Sequence, residues 1–196
     1  KIADKILDYS FENDNEISFW NIIENIQNTS IVGALDSSIF NGIDGIALFY
    51  YNLYLHTNKV KYRLIAIKII NQGINEFVNN YNFYNLPHLE YQLSFFGLPI
   101  STFHIAELLI EKGEQFETIT PHSISLLLDY IDNNTENPHF DLISGVSGTI
   151  IYLAKLHKRT NNKRILKTIE KLSIHLINNA DKINNGIAWA DKAKGI

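Results

Sequence analysis

Apolar residues recur at three- and four-residue spacing along most of this chain, and that spacing predicts helices. It is seen first over 2–9 (IADKILDY) and 17–27 (ISFWNIIENIQ). Helices are predicted over 43–56 and 59–79, then near 98–112, 121–132, 146–158 and 162–179. Pro121 behind Thr120 suits a helix start, with Thr120 as the cap. Residues 28–41, with Gly33 and Asp36-Ser37-Ser38, read as a connection. The Asn- and Tyr-rich stretch 80–93, with Pro87, reads as a loop. The tail 181–196 is turn-rich, and its end at Gly195-Ile196 reads as an interruption rather than a terminus. Strand patterns are poor throughout.

The helical segments are of two kinds. IALFYYNLYL and TIIYLAKL are apolar nearly all round, so they are expected to be covered on most faces. NNKRILKTIEKLSIHLI carries one apolar stripe and a charged back, as a surface helix does. Their alternation predicts an all-α fold of at least seven helices in inner and outer positions. It leaves no place for a continuous parallel sheet.

The punctuation repeats as well. Gly42-Ile43-Asp44-Gly45 opens one apolar segment and Gly145-Val146-Ser147-Gly148 another. Each runs into Thr-Asn, at Thr57-Asn58 and Thr160-Asn161, the same distance from its glycines. A weaker copy, SFFGLPISTFHIAELLIEKG, is centred on Gly97. Glycines 42, 97 and 145 are thus 55 and 48 residues apart, and a period near fifty with two helices per unit reads as an α/α repeat. Two glycines three apart leave one face of the first turn bare, for packing or for a ligand.

Composition narrows the chemistry. The 196 residues are 45% hydrophobic and 19% charged, enough for one globular domain and its core. A net charge of −4 with no basic stripe argues against nucleic acid. There is no cysteine, which excludes disulfides, thiolate metal sites and a Cys nucleophile. No uninterrupted apolar run reaches membrane-spanning length and no signal peptide is visible, so the cytoplasm is the default location. The seven histidines form no H-x-x-x-H or H-E-x-x-H pattern, and no P-loop, dinucleotide or G-x-S-x-G motif occurs.

The stretches SIFNGIDGIALFYYNLY (38–54), LSFFGLPISTFHIAELL (93–109), FDLISGVSGTIIYLAKLHKRTN (140–161) and GIAW (186–189) resemble the lanthionine synthetase C-like family. They are most similar to the C-terminal cyclase domain of class II lanthipeptide synthetases. The resemblance implies an α/α toroid of concentric helix rings with about seven G-x-x-G-type repeats. Three are present here, so it implies a partial domain over 1–196, roughly the first half of a ring, with repeats around 38–80, 93–132 and 140–180. It implies an activity too: a precursor peptide's Cys thiol adds to dehydroalanine or dehydrobutyrine and closes a thioether ring. Family members activate that thiol on zinc held by two cysteines and a histidine from later repeats. This chain supplies none of those ligands, so it is expected to bind no zinc and to be inactive without the missing half.

One catalytic candidate follows from the resemblance. FDLISG matches the family's Asp-containing repeat, whose acid faces the central cavity and takes part in acid–base work, and this places the role on Asp141. A capping role for Asp141 is the alternative. Asp44, inside its G-x-x-G, reads as a first-turn acid favoured by the helix dipole. His104 stands seven residues after Gly97, where the other copies have Phe49 and Tyr152. It is a cavity-lining candidate or a satisfied core histidine. Gly42, Gly45, Gly97, Gly145 and Gly148 are the motif residues. Two other readings stay open, a non-catalytic peptide- or protein-binding helical module and another α/α toroid enzyme.

Overall fold

The helical spacing is realised as eight helices in the computed structural model, which describes residues 1–13, 16–24, 30–84, 93–184 and 186–189. They are α1 (Ile2–Asp8), α2 (Ile43–Thr57), α3 (Val60–Asn79), α4 (Tyr81–Tyr84), α5 (Ile100–Ile110), α6 (Pro121–Asn133), α7 (Val146–Thr160) and α8 (Lys163–Asn178). Thr120 caps α6 in a reciprocal box: its hydroxyl accepts from the Ser123 N–H at 3.1 Å while Ser123 Oγ accepts from the Thr120 N–H at 2.9 Å. The main body is all-α. Residues 85–92, with Pro87 and His88, and Gly195-Ile196 lie outside the described residues.

The segment expected to be helical over 17–27 is instead a strand over its described part, 17–24; residues 25–27 lie outside the described residues. β2 (Ile17–Glu24) pairs antiparallel with β1 (Ser10–Glu12) and with β3 (Ser30–Ala34), which arises from the expected connection. Ile17 and Phe19 are buried while Trp20 is exposed, a period-two alternation in a β-branched and aromatic run. A hairpin of β4 (Asp181–Ile183) and β5 (Gly186–Ala188) occupies part of the tail.

The helices form two rows. In one, α5 packs against both α2 and α7; in the other, α6 packs against both α3 and α8. The rows are joined by α2 on α3 and α7 on α8. Helix α1 and the sheet cover the outer end of the first pair. Tyr50 Oη donates to the Ala3 carbonyl at 2.7 Å, the Ile17 N–H donates to Gln72 Oε1 at 2.9 Å, and Lys61 meets Asp4 at 3.1 Å. Phe77 anchors the core between the rows, edge-on to Phe103 at 5.8 Å and to Tyr130 at 5.9 Å.

Burial differs from expectation in one respect. α2 leaves Phe49 and Leu55 exposed, whereas α3 buries a continuous face from Tyr62 through Ile69 and Ile70 to Phe77. The reason is position: α3 is packed by α2, α5, α6 and β2 at once, while α2 has one open side.

Candidate functional site

The N-termini of α2, α5 and α7 come together at one end of their row, and three loops tie them into one rim. In the first loop the Ile43 N–H donates to the Asp36 carbonyl at 2.8 Å. In the third, the Val146 N–H donates to the His139 carbonyl at 3.0 Å, the same bond 103 residues later. Glycine is required at both turns. A Cβ on Gly42 would stand 2.2 Å from the Asp36 carbonyl oxygen, and one on Gly145 2.0 Å from that of His139. A Cβ added to Gly45 or Gly148 would likewise stand 2.2 Å from a carbonyl oxygen, that of Ile39 or Leu142. The bare faces of both first turns are therefore filled by the chain's own preceding backbone.

The middle loop bridges the other two. Ser38 pairs with Gly97, the Ile39 N–H donates to the Phe96 carbonyl at 2.8 Å, and the Phe40 and Phe96 rings stack at 4.5 Å. On the other side Ser94 Oγ donates to the Ile143 carbonyl at 2.9 Å. Gly97 has a looser setting, with Ser94 at ordinary contact distance from its Cβ position. The rim exposes Phe40, Leu142 and Ile143 and carries the Asp141 carboxylate. This is an apolar lip with an acid on it.

Asp141 is exposed, and its Oδ1 accepts from the N–H groups of Ile143 at 2.6 Å and Ser144 at 2.7 Å. The carboxylate thus closes the turn before Gly145 and does not cap α7. Phe140 is buried against the His175 ring, whereas Leu142 is half exposed. His104 lies deeper, between α5 and α7, with its ring 4.3 Å from Phe95 and edge-on to Tyr152 at 6.2 Å. Burial pushes its pKa down to about 4, helped by Lys155 and opposed by Glu111, so the imidazole is neutral near pH 7. His104 Nδ1 and Tyr152 Oη are buried without a hydrogen-bond partner. Of the other residues at this offset, Tyr152 is fully buried and Phe49 is exposed.

Asp44 is the residue that sequence reasoning undervalued. It does sit in the first turn of α2, but it is 0% exposed. Its Oδ2 accepts from Ser101 Oγ at 2.5 Å and Thr102 Oγ1 at 2.8 Å. Desolvation raises its pKa to about 6 despite those two bonds. The available signal was the Ser101-Thr102 pair opening the helix after Gly97. Away from the rim, a cleft of about 360 Å³ opens between the start of α6 and the α7–α8 turn. Its Arg159 and Arg164 are already paired with Glu107 and Asp129.

The zinc that the resemblance implies does not fit the residues present. The chain has no Cys, and among the described residues no three His, Asp or Glu side chains gather in a way that could hold a metal. No described helix is long and apolar enough to cross a membrane.

The two helix rows, with glycine-bared first turns on one rim, define a repeat protein of the α/α class. Residues 33–194 match the family model for lanthionine synthetase C-like protein, and the chain belongs to that family. Comparison with curated proteins gives no match.

Proposed function

We propose that this chain is part of a lanthionine-forming cyclase, supplying the first repeats of its toroid and the acidic lip of its peptide site. The family match over 33–194 carries this reading. The reaction is an isomerisation. A peptide Cys loses its thiol proton, the sulfur bonds to the β-carbon of dehydroalanine or dehydrobutyrine, and the α-carbon gains a proton. Asp141 is proposed to move a proton in that exchange, because its turn fixes Oδ1 and leaves the group open to solvent on the rim. Phe40, Leu142 and Ile143 offer the apolar surface that an extended peptide needs. The thiol-activating zinc would come from residues outside this sequence, as in class II synthetases.

The absence of any cysteine also supports a second reading, a helical module that binds peptide without catalysis. Reading the gene beyond the codon for Ile196 separates the two. His-Gly, Cys-rich and Cys-His-Gly motifs there support the cyclase, and a stop codon supports the binding module. The direct test gives the whole encoded polypeptide zinc and a peptide with one dehydroalanine and one cysteine. Ring closure is read as loss of alkylatable thiol at unchanged mass. Closure slowed ~10²–10⁴-fold by Asp141→Asn is expected, and no closure by the parent overturns the reading.

A further inference from the structure

The polar cluster beneath the rim contains more acceptors than the protein itself satisfies. Asp44, Ser101 and Thr102 are 0% exposed and Ser37 is 4% exposed. Ser101 and Thr102 both give their single hydroxyl hydrogen to Asp44 Oδ2. Asp44 Oδ1 and Ser37 Oγ have no partner at all. The four side chains converge from the loop before α2, the first turn of α2 and the first turn of α5, over Gly73 of α3. Thr102 Oγ1 and Ser37 Oγ lie 3.3 and 3.5 Å from the point where a Cβ on Gly73 would stand. The Ser37 carbonyl is a further oxygen in the group, touched only at 3.5 Å by Ser101 Oγ.

The charge around the cluster is one-sided. The charged groups that act on Asp44 are Asp36 and Glu76, both acids on the solvent side, and neither neutralises it. A fully buried carboxylate is stable only with a counter-charge or a proton. Every unsatisfied atom here is oxygen, the ligand type of hard cations. The shell contains one carboxylate, so a single positive charge balances it.

We propose that Asp44, Ser37, Ser101 and Thr102 form an internal site for one monovalent alkali cation, tying the first glycine loop to the starts of α2 and α5. Three hydroxyls, a carboxylate and the Ser37 carbonyl supply the coordinating oxygens. The cation locks the loop that positions Phe40 on the rim, so it organises the lip without touching a peptide.

Thermal unfolding of the full chain at pH 8 tests this in sodium, potassium or choline chloride at equal ionic strength. One alkali salt should raise Tm by about 5 °C over choline, with saturation. Asp44→Asn should abolish that difference and Ser37→Ala should reduce it. Equal melting in all three salts overturns the proposal. A full-sized difference retained in Asp44→Asn also overturns it, as a general salt effect. Should Asp44→Asn fail to fold, an undiminished difference in Ser37→Ala has the same force.

Discussion

At the scale of single residues, three titratable groups with different surroundings behave differently. Asp44 has its pKa raised from 3.8 to about 6, so the folded state holds the proton more tightly than the unfolded one. The stability this gives is full below about pH 4 and is lost as pH rises through 6, about 3 kcal/mol in all. Urea titrations in choline buffer should show that loss, and Asp44→Asn should flatten it. His104 has the opposite sign. Its pKa falls from 6.5 to about 4, so its contribution is present above 6.5 and is lost as pH drops through 4. The ring is partly open to solvent, so about 2 kcal/mol is the expected size after screening. His104→Phe should remove that acid-side loss, measured by the same titrations between pH 4 and 7. Asp141 shows why a motif alone does not define a role. Its two backbone bonds account for a structural acid, and its place on the lip suits a reacting one.

Glycine settings and helix ends decide matters at the scale of elements. Helices α2 and α7 end in left-handed residues, Asn58 at φ 53° and Asn161 at φ 51°, and Gly113 at φ 95° follows α5. Asn58, Gly113 and Asn161 each stand sixteen residues after Gly42, Gly97 and Gly145. The Thr-Asn pair thus has a mechanism. Thr57 and Thr160 return their hydroxyls to the Leu53 and Leu156 carbonyls, and the Asn residues take the left-handed turn. Asn161→Ala should cost about 1 kcal/mol and Asn161→Gly nearly nothing, read from urea midpoints. The glycines should divide by setting. Gly145→Ala drives a methyl into the His139 carbonyl and should cost upwards of about 2 kcal/mol. Gly97→Ala meets only an ordinary contact and should cost under about 1 kcal/mol. Equal losses at the two sites would refute this division.

Over the whole molecule, buried ion pairs hold the repeats in register. Glu107 on α5 is 2% exposed and takes both its bonds from Arg159 on α7, at 2.5 and 2.6 Å. Glu114, just beyond α5, is held the same way by Arg63 on α3, at 2.5 and 2.8 Å, with Tyr51 Oη as a third donor at 3.1 Å. Each arginine is raised in pKa by the hydrogen bonds to its carboxylate partner. Arg159→Ala strands a buried carboxylate between α5 and α7. Chemical denaturation should show a loss of about 3 kcal/mol, and a loss under about 1 kcal/mol would mean that apolar packing alone sets the register.

The sequence by itself determined what depends on neighbours along the chain. Spacing of apolar residues set α2, α3 and the helices from α5 to α8, because an amphipathic or apolar run of that length has one regular way to bury itself; the short α4 instead arises in the stretch 80–93 that reads as a loop. Spacing of Gly42, Gly97 and Gly145 located the rim loops. What failed was the stretch 17–27, where Ile, Phe and Trp fit both a helical and an alternating pattern. The choice of a strand rests on partners at 10–12 and 30–34 that no local window contains. Only the tertiary structure decided which acid is buried. Asp44 and Asp141 both stand beside a glycine pair, and local chemistry gives both the same dipole-favoured reading. The difference comes from α5, whose Ser101 and Thr102 close over one carboxylate, while no described helix covers the other. Burial is set by what packs on top, and the covering residues lie more than fifty positions away in the chain.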